Sequence, residues 1–596
     1  MRKVATAVFF YFLLNNISFS SETFLSLEKT GNVRTESFLT HTVVSEAQIE
    51  NQNVPMALDL ISSVPGVFVS KAASVLKSDV SIRGMGDSFR NIGLFIDGRP
   101  EKVSVYGCAV SQTLLSGNIE SIEIIKTPDS VLYGSDAFGG AVNIITHNPS
   151  KPLEAEISLS YGSYNTQNYY ANVGQLVDNV LYQVSANKVS SDGHLKNSGY
   201  DATDLYGKFG YIINDTSSIM INGKYFNGKE NEPEAIGLNN MGHLITLNPS
   251  SYEFRRGGVD AKYNKNFYEN SMEILAFEDF GEHKFSNGFN SKDETFGLFA
   301  SFENTSFANN VFKYGLEYRY SYANVIAGPP SVKIGNWNKS EIALFALDEY
   351  SFNSKTGITA GARYNYDEIS GSDFAARTGL SYGVTDLLTA RVSYSRSFRT
   401  PYINELYSLP ISNADLKAQT QDSYEIGVAS KYFGVIFDVS GFISKGENII
   451  QVVSGKFQNS GTYEFKGFEV SADKEVVKNL KLFAGYSYLD PGKLTQGTVK
   501  NKIDLSADYK IWKFGFYVSG MFVFDYYAAN NFGAKLEDFN VFNAKTHFNV
   551  TDEFSIFLAA DNFTDQKYNM FVVSFGQAAI YEMPGATYTI GARYKF

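Results

Sequence analysis

Residues 120–146 read ESIEIIKTPDSVLYGSDAFGGAVNIIT, and residues 80–100 read VSIRGMGDSFRNIGLFIDGRP. Each stretch contains short apolar runs, such as Leu94 to Ile96, that end at glycine turns such as Asp97-Gly98. Apolar runs of this length between Asp-Gly or Gly-Gly dipeptides predict strands joined by tight turns. The two stretches therefore predict a small mixed domain in the N-terminal part of the chain.

The overall composition limits the class of protein. A chain of 596 residues is too long for one ordinary soluble core. No apolar run beyond the N-terminus reaches the roughly 18 residues of a membrane helix, so helical spans are excluded. Aromatic residues are 15% and charged residues 19%, which fits strands that are apolar on one face only. The net charge of -12, without any basic run, argues against a nucleic-acid partner.

From Leu153 onward, apolar and polar residues alternate along the chain. In Lys502 to Ile511, for example, Ile, Leu, Ala, Tyr and Ile alternate with Lys, Asp, Ser, Asp and Lys. Such alternation gives each strand one apolar face and one polar face, as in a membrane barrel. Roughly 22 such segments follow Leu153, the strand number of plugged outer-membrane transporters. A barrel this wide is an open pore unless another domain fills it.

The first twenty residues have the pattern of a secretory signal. Arg2 and Lys3 precede the apolar stretch Val4 to Leu14, and small residues follow at Ser18 to Ser20. We therefore expect residues 1–20 to be a signal peptide and the mature chain to be exported.

Four motifs in the quoted stretches carry a resemblance to a known family. IRG, LFIDGRP, EIIKTP and YGSDAFGGAVNIIT, in this order, resemble the plug domain of TonB-dependent outer-membrane receptors. Ser397 to Lys417 also resembles the FRAP–NELY–NPDLKPE region of the barrel, with Thr400 and Ala414 as departures. The resemblance implies an all-β membrane protein: a 22-stranded antiparallel transmembrane β-barrel with a small N-terminal α/β plug domain in its lumen.

The resemblance also implies a domain plan and a set of functional residues. We expect the TonB box and an N-terminal extension at 21–42, the plug at 43–147 and the barrel at 153–596. Charges buried between plug and barrel are costly unless they are paired. The expected TonB box is Glu22, Thr23, Phe24, Leu25, Ser26 and Leu27, and the expected plug–barrel ion cluster is Arg83, Lys126, Glu425 and Glu469.

Ligand contacts in the resembled family come from outward-facing plug loops and external barrel loops. By position, the plug tips are residues 71–77 and 101–112, and the candidate ligand residues there are Lys71, Lys77, Lys102 and Tyr106. Three lysines favour an anionic, aromatic-rich ferric siderophore, and cobalamin is the alternative. No His occurs between Phe398 and Lys417, which argues against haem.

The sequence gives little support for catalysis, metal binding or phosphate binding. The six His residues show no metal-ligand spacing, and the glycine-rich stretch 134–140 lacks the Lys-Ser/Thr ending of a phosphate loop. We therefore expect no enzyme activity, no bound cofactor and no resident metal, and we assign no role to the single cysteine, Cys108. A passive plugged porin or adhesion receptor and an outer-membrane hydrolase are the other classes considered.

The resemblance finally implies location and partners. We expect a monomer in the outer membrane of a Gram-negative bacterium, in contact with membrane lipids and lipopolysaccharide. Its energy-coupling partner would be TonB with the ExbB–ExbD complex. Its ligand would be a small-molecule metal chelate that carries Fe3+ or Co, and no nucleic acid would bind.

Overall fold

The fold is taken from a computed structural model that describes residues 40–74, 76–86, 90–238, 244–329, 332–574 and 577–596. The predicted signal peptide, 1–20, and the predicted TonB box, 22–27, lie outside the described residues. Within the described part of the chain, no helix is long and apolar enough to cross a membrane.

The N-terminal domain is a small α/β unit. Its strands are β1 (His41–Val44), β2 (Val67–Lys71), β3 (Ser78–Ile82), β4 (Gly93–Ile96), β5 (Arg99–Pro100), β6 (Ile119–Ile125) and β7 (Ala141–Thr146). Its α-helices are α1 (Glu46–Asn51) and α2 (Ser130–Tyr133), with 3-10 turns at Ala57–Ile61, Ser111–Thr113 and Gly134–Ala137. One sheet has the order β1-β6-β7-β4-β5, and β2 and β3 form a separate hairpin.

The remaining strands follow in order along the chain. They are β8 (Glu154–Gly162), β9 (Thr166–Val177), β10 (Val180–Ser191), β11 (Tyr200–Asn214), β12 (Ser217–Glu232), β13 (Ala235–Leu238), β14 (Leu244–Leu247), β15 (Ser250–Phe267), β16 (Asn270–Phe285), β17 (Asn290–Asn304), β18 (Asn310–Ala327), β19 (Gly335–Ser351), β20 (Thr356–Asp367), β21 (Gly371–Thr385), β22 (Leu388–Arg399), β23 (Gln419–Tyr432), β24 (Val435–Val453), β25 (Lys456–Val477), β26 (Leu480–Asp490), β27 (Val499–Ile511), β28 (Phe514–Tyr526), β29 (Phe539–Asn549), β30 (Phe554–Asp561), β31 (Asn569–Ser574), β32 (Gln577–Glu582) and β33 (Thr587–Lys595). A 3-10 turn at Ser163–Asn165 and a π-helix at Asn404–Ser408 lie between them.

Twenty-two of these strands close into an antiparallel barrel, which confirms the predicted fold class. The barrel closes where β33 pairs with β8, at Ala592 opposite Leu159. Strands β13, β14, β31 and β32 stand apart and form a four-stranded sheet of their own. This sheet is built from the two connections 233–249 and 562–586.

The two ends of the barrel differ in the length of their connections. At the end that holds Phe596, most connections are tight turns, and Tyr268, Phe433 and Trp512 are exposed there. The opposite end carries the longer connections, including 400–418. Short turns with an aromatic girdle mark the periplasmic side of such barrels, and the longer loops mark the outer side.

The plug fills the lumen and packs directly on the barrel wall. Its apolar core includes Leu58, Ile82 and Val142, and it is continuous with Phe442 and Phe465 on the inner face of the barrel. Along the barrel strands the exposed apolar side chains alternate with buried polar ones, as at Tyr424 and Glu425. The outer face therefore suits lipid, and the inner face is polar and filled by the plug.

Candidate functional site

The four charged residues of the predicted ion cluster lie together between plug and wall. The Arg83 guanidinium is 2.6 Å from a Glu425 carboxylate oxygen and 2.9 Å from one of Glu469. The Lys126 ammonium is 2.6 Å from Glu469. All four residues are buried. A buried charge is tolerated only when it is paired and hydrogen-bonded, and each member of this cluster meets that condition.

Local structure brings each member of the cluster into place. Arg83 directly follows β3 and Lys126 directly follows β6, while Glu425 and Glu469 point inward from β23 and β25. Arg83 has a φ of 52°, in the left-handed region that favours glycine. Burial alone would lower the pKa of the Arg83 guanidinium, but Glu469 and Glu425 outweigh burial and raise that pKa.

Three further residues contact Glu425, of which only Thr127 lies in a quoted motif, EIIKTP. The Thr40 hydroxyl donates a hydrogen bond to one carboxylate oxygen, and the Thr127 hydroxyl donates to the other at 3.0 Å. The Arg391 guanidinium lies 3.6 Å from the same carboxylate. The Thr40 carbonyl also accepts a hydrogen bond from the Lys126 backbone N–H at 3.1 Å. Thr40, the first residue described, is therefore bonded to the cluster by both its side chain and its backbone.

Similar ion pairs continue around the wall from β15 to β21. Asp136 of the plug accepts from Arg319 at 2.6 Å, and Asp129 of the plug accepts from Arg377 at 2.5 Å. Arg99 of the plug is paired with Asp279. This part of the barrel therefore holds the plug mainly through charged side chains.

The wall formed by β10 contacts the plug in a different way. We use the name amide seam for Asn118 of the plug together with Gln183, Ser185 and Asn187 of β10. The Gln183 amide donates to the Asn118 carbonyl oxygen at 2.6 Å. Neither polar atom of the buried Asn187 side chain has a hydrogen-bond partner among the described protein atoms. A cavity of about 30 Å³ lies beside them, which is enough for water.

The three plug lysines that are expected to contact the ligand each lie close to a carboxylate. Each is paired with a carboxylate, at 2.8 Å for Lys71 and Asp59, 2.8 Å for Lys77 and Glu232, and 2.7 Å for Lys102 and Asp136. Lys77 is buried, and the other two are partly buried. Two of these pairs lie within the plug, and the pair of Lys77 with Glu232 joins the plug to β12. The ligand role of the three lysines stays a prediction.

A different pair of residues meets at the outer tip of the plug. The Arg90 guanidinium donates to the Tyr106 carbonyl at 3.2 Å, and both side chains are partly exposed. The Tyr106 ring lies 5.8 Å from Phe289 in the connection between β16 and β17. Cys108, two residues on, is the single cysteine of the chain and is partly exposed. Sequence reasoning found Tyr106 but missed Arg90, because nothing in the chain links residue 90 to residue 106.

The quoted NELY motif forms part of this tip. Glu405 accepts two hydrogen bonds from Arg399, both at 3.0 Å, and one from the Tyr402 backbone N–H at 2.9 Å. The Tyr402 hydroxyl then donates to the Arg90 carbonyl at 2.7 Å. The motif therefore fixes the connection 400–418 against the plug.

Among the described residues, no group of three or more His, Cys, Asp or Glu could hold a metal ion.

A 22-stranded barrel whose lumen is filled by an ion-paired plug defines a class of outer-membrane receptor. The sequence matches two family profiles, "TonB dependent receptor-like, beta-barrel" over residues 156–563 and "TonB-dependent Receptor Plug Domain" over residues 35–141. The chain therefore belongs to the TonB-dependent receptor family. It is an outer-membrane receptor that works with TonB and binds a small-molecule ligand, and it is not an enzyme.

Similar proteins include receptors for two kinds of ligand. The vitamin B12 transporter BtuB of Vibrio vulnificus is 22% identical over 584 residues, which cover 93% of this chain and 92% of the relative. The iron-regulated outer membrane virulence protein of Vibrio cholerae is 25% identical over 421 residues, or 65% of this chain and 62% of that protein. The ferric yersiniabactin uptake receptor FyuA of Yersinia pestis has the same fold, with a TM-score of 0.81, 14% identity, and coverage of 96% of this chain and 100% of that one.

Proposed function

We propose that this receptor imports a scarce nutrient by active transport and that TonB pulls on the predicted box at 22–27. The observation that carries this proposal is the position of Thr40. Its hydroxyl is bonded to Glu425, and its carbonyl to the backbone N–H of Lys126. A pull on the box is transmitted along the covalent chain to Thr40, which is bonded directly to the ion cluster. The load therefore acts on the ion cluster before it acts on the rest of the plug.

The direction of β1 means that this load would separate β1 from β6 one residue pair at a time. His41 pairs with Ile125 at the cluster, and β1 is the edge strand of its sheet. From there the chain continues to α1, where Glu46 lies 3.3 Å from Lys595 at the periplasmic end. Because β1 runs from the ion cluster towards the periplasmic end, a pull on Thr40 towards the periplasm would fold the preceding segment back along β1. The β1–β6 pairs then separate one after another, starting at the ion cluster.

Deletion of Glu22 to Leu27 tests the coupling. We expect ligand binding at the cell surface to be unchanged and accumulation inside the cell to be lost, as in cells that lack TonB. Deletion of residues 28–33 is the matched control, because it shortens the segment equally and keeps the box. Uptake that persists without the box would contradict active transport and would favour the passive plugged porin.

We propose a ferric siderophore as the transported ligand, with cobalamin as the alternative. The support comes from Arg90 and Tyr106, a guanidinium and an aromatic ring that are both partly exposed at the plug tip. An anionic, aromatic iron chelate can pair with the first and stack on the second, whereas cobalamin is close to neutral. Relatives named for vitamin B12 and for siderophores leave both ligands open.

Titrations of the purified receptor with ferric enterobactin and with cyanocobalamin separate the two ligands. For a ferric siderophore we expect Arg90→Gln to weaken binding about tenfold at low salt and less at high salt, because salt screens exposed charges. Arg255→Gln, an exposed arginine on β15, is the control. Tight cyanocobalamin binding that is independent of both salt and Arg90 would replace the siderophore with the alternative.

The remaining expectations about partners and cofactors are part of the same proposal. The receptor would hold no resident cofactor, and any Fe3+ or Co would belong to the ligand. ExbB–ExbD would energise TonB, and outer-membrane lipids with lipopolysaccharide would surround a monomeric barrel. Native mass spectrometry of the receptor in mild detergent checks the monomer, and a dimer mass as the main species would contradict it.

A further inference from the structure

The outer wall formed by β20 to β26 carries a groove of about 740 Å³ in its lipid-facing surface. Aromatic rings form its two sides. Tyr394 and Tyr424 lie with ring centres 5.2 Å apart on one side, and Phe468 and Tyr488 lie 5.6 Å apart on the other. Gly441 lies between them on β24, opposite Ile426 on β23 and opposite Phe468 on β25.

Gly441 has no structural requirement for glycine. A Cβ at this position would meet no atom closer than 3.9 Å, and its φ is outside the left-handed region. Glycine inside a strand weakens the sheet, and such a glycine often marks a place where another molecule approaches closely. The effect of Gly441 here is to leave the floor of the groove open.

Charged side chains border the groove on its outer side. Arg396, Asp422, Lys445 and Glu464 are neighbours across β22 to β25 and alternate in sign. Lys466, on the groove itself, lies 3.7 Å from Asp490. The side chains of Lys445 and Lys466 are 57% and 54% exposed. Exposed ion pairs contribute little to stability, so both ammonium groups can exchange their partners for a ligand.

The charged side chains of this border lie at the membrane depth of the lipid headgroups. Lys445 lies about ten residues from the periplasmic end of β24, or about 25 Å across the membrane for a tilted strand. The apolar band of an outer-membrane barrel is also about 25 Å tall. The groove therefore lies in the outer-leaflet half of the membrane, and the charged border lies at its surface.

We propose that this groove is a binding site for one phosphorylated, multiply acylated glycolipid of the outer leaflet. An acyl chain lies over Gly441 between the aromatic sides, and a phosphate group lies by Lys445 and Lys466. Glu464 and Asp490 share the divalent cations that accompany such phosphates, since carboxylates are oxygen ligands for these ions. A border of alternating sign thus matches a headgroup layer in which phosphates and cations alternate.

Lipid retention by the full-length receptor tests this site. The receptor is purified from outer membranes in mild detergent, and bound lipid is counted by native mass spectrometry before and after addition of purified lipid A. We expect one retained glycolipid in the unchanged protein. We expect about tenfold less in Gly441→Leu, which fills the floor, and in Lys445→Gln with Lys466→Gln, which removes the phosphate contacts.

Matched controls come from the opposite wall. Gly223 on β12 also has open space around it, and Lys229 on the same strand is 58% exposed. Gly223→Leu and Lys229→Gln should retain the glycolipid, and thermal unfolding shows that every variant is folded. Equal retention in all variants, or an equal loss in the controls, would overturn the proposal.

Two other occupants would give distinct results. Retention of phosphatidylglycerol in place of lipid A, with the same dependence on Gly441, would show a phospholipid site and contradict the glycolipid. A cross-linked protein neighbour that disappears in Gly441→Leu, while lipid retention is unchanged, would show a protein interface. Ligand uptake should be normal in Gly441→Leu, so the lipid site and the proposed transport are tested separately.

Discussion

The ion cluster and the amide seam are two contacts between the same plug and the same wall, and they differ in kind. At the ion cluster, Arg83 and Lys126 are paired with two buried carboxylates at 2.6–2.9 Å. At the amide seam, Gln183 bonds Asn118, while the two polar atoms of the neighbouring Asn187 side chain lie beside a small cavity without a partner in the described part of the chain. One contact is fully paired and charged, and the other is neutral and incompletely bonded.

The difference shows how a plug can be stable at rest and still open under load. Removal of one partner from a buried ion pair leaves a charge with less compensation, whereas loss of one neutral amide bond beside a cavity that can hold water costs less. The stronger contact is also the one that Thr40 joins, so in the proposed transport it is the contact on which a pull from TonB acts. We therefore expect the plug to stay in place until force reaches the ion cluster.

The largest expected effect comes from Glu425→Ala. This change leaves Arg83 with Glu469 as its single carboxylate partner and leaves Arg391 with Asp438, 2.8 Å away. We expect the plug to lose about 3–5 kcal/mol of anchoring. Gln183→Ala, the control in the amide seam, should cost about 1 kcal/mol. Conductance in planar bilayers and entry of large antibiotics measure the difference. Equal leakage of the two variants would contradict the comparison.

The next effect is the coupling between Arg83 and Glu425. In a double-mutant cycle, Arg83→Ala with Glu425→Ala should be less harmful than the sum of the single changes, by about 1–3 kcal/mol. The physical reason is that each single change removes the closest opposite charge from the other residue, which stays buried with only its remaining partner. Thermal unfolding of the plug in the four proteins measures this coupling. Strict additivity would mean that the ion pair does not act as a unit.

A smaller effect is the loss of stability at acidic pH. Burial alone would raise the pKa of Asp136, but Arg319 and Lys102 outweigh burial and lower it to about 2 from an ordinary value of 3.8. Because the carboxyl is more acidic in the folded plug, its contribution to stability is present above pH 4 and is lost as the pH falls towards 2. Thermal unfolding between pH 2 and pH 5 should show this slope. Asp136→Asn should lack that part of the slope, and identical curves would contradict the pairing.

The smallest effect belongs to the amide seam. Asn187→Leu removes two buried polar atoms that have no partner, so we expect the stability to change by less than about 1 kcal/mol or to rise slightly. Gln183→Leu is the matched change on the same strand, and it should destabilise because Asn118 and Asn172 lose their donor. Chemical unfolding compares the two variants. A large loss in Asn187→Leu would mean that the seam is as tightly bonded as the ion cluster.

The sequence predicts the barrel well because period-two alternation is a local signal that repeats along every strand. It also points to Arg83 and Lys126, which lie in the motifs IRG and EIIKTP, and to Glu425 in SYEIG and Glu469 in KGFE, because these short motifs resemble the family. The partners of the lysines could not be predicted in this way. Lys77 pairs with Glu232, which is 155 residues away, and only the closed barrel brings the two together.

The same limitation applies to Thr40 and to the lipid-facing groove. Thr40 lies in no motif, and its contact with Glu425 spans 385 residues. Alternation shows that Gly441 faces outward, but the aromatic sides of the groove come from neighbouring strands whose register no single segment contains. Contacts that depend on strand register across the barrel are therefore visible only in the three-dimensional structure.

Mechanical unfolding from the N-terminus tests the central claim most directly. The receptor, held in a bilayer, is pulled by its predicted TonB box with a force probe, and the first rupture is recorded. We predict that Thr40→Val and Glu425→Ala lower the force of the first rupture, while Gln183→Ala leaves it unchanged. A first rupture that is the same in all four proteins would contradict the claim that the pull acts first on the ion cluster.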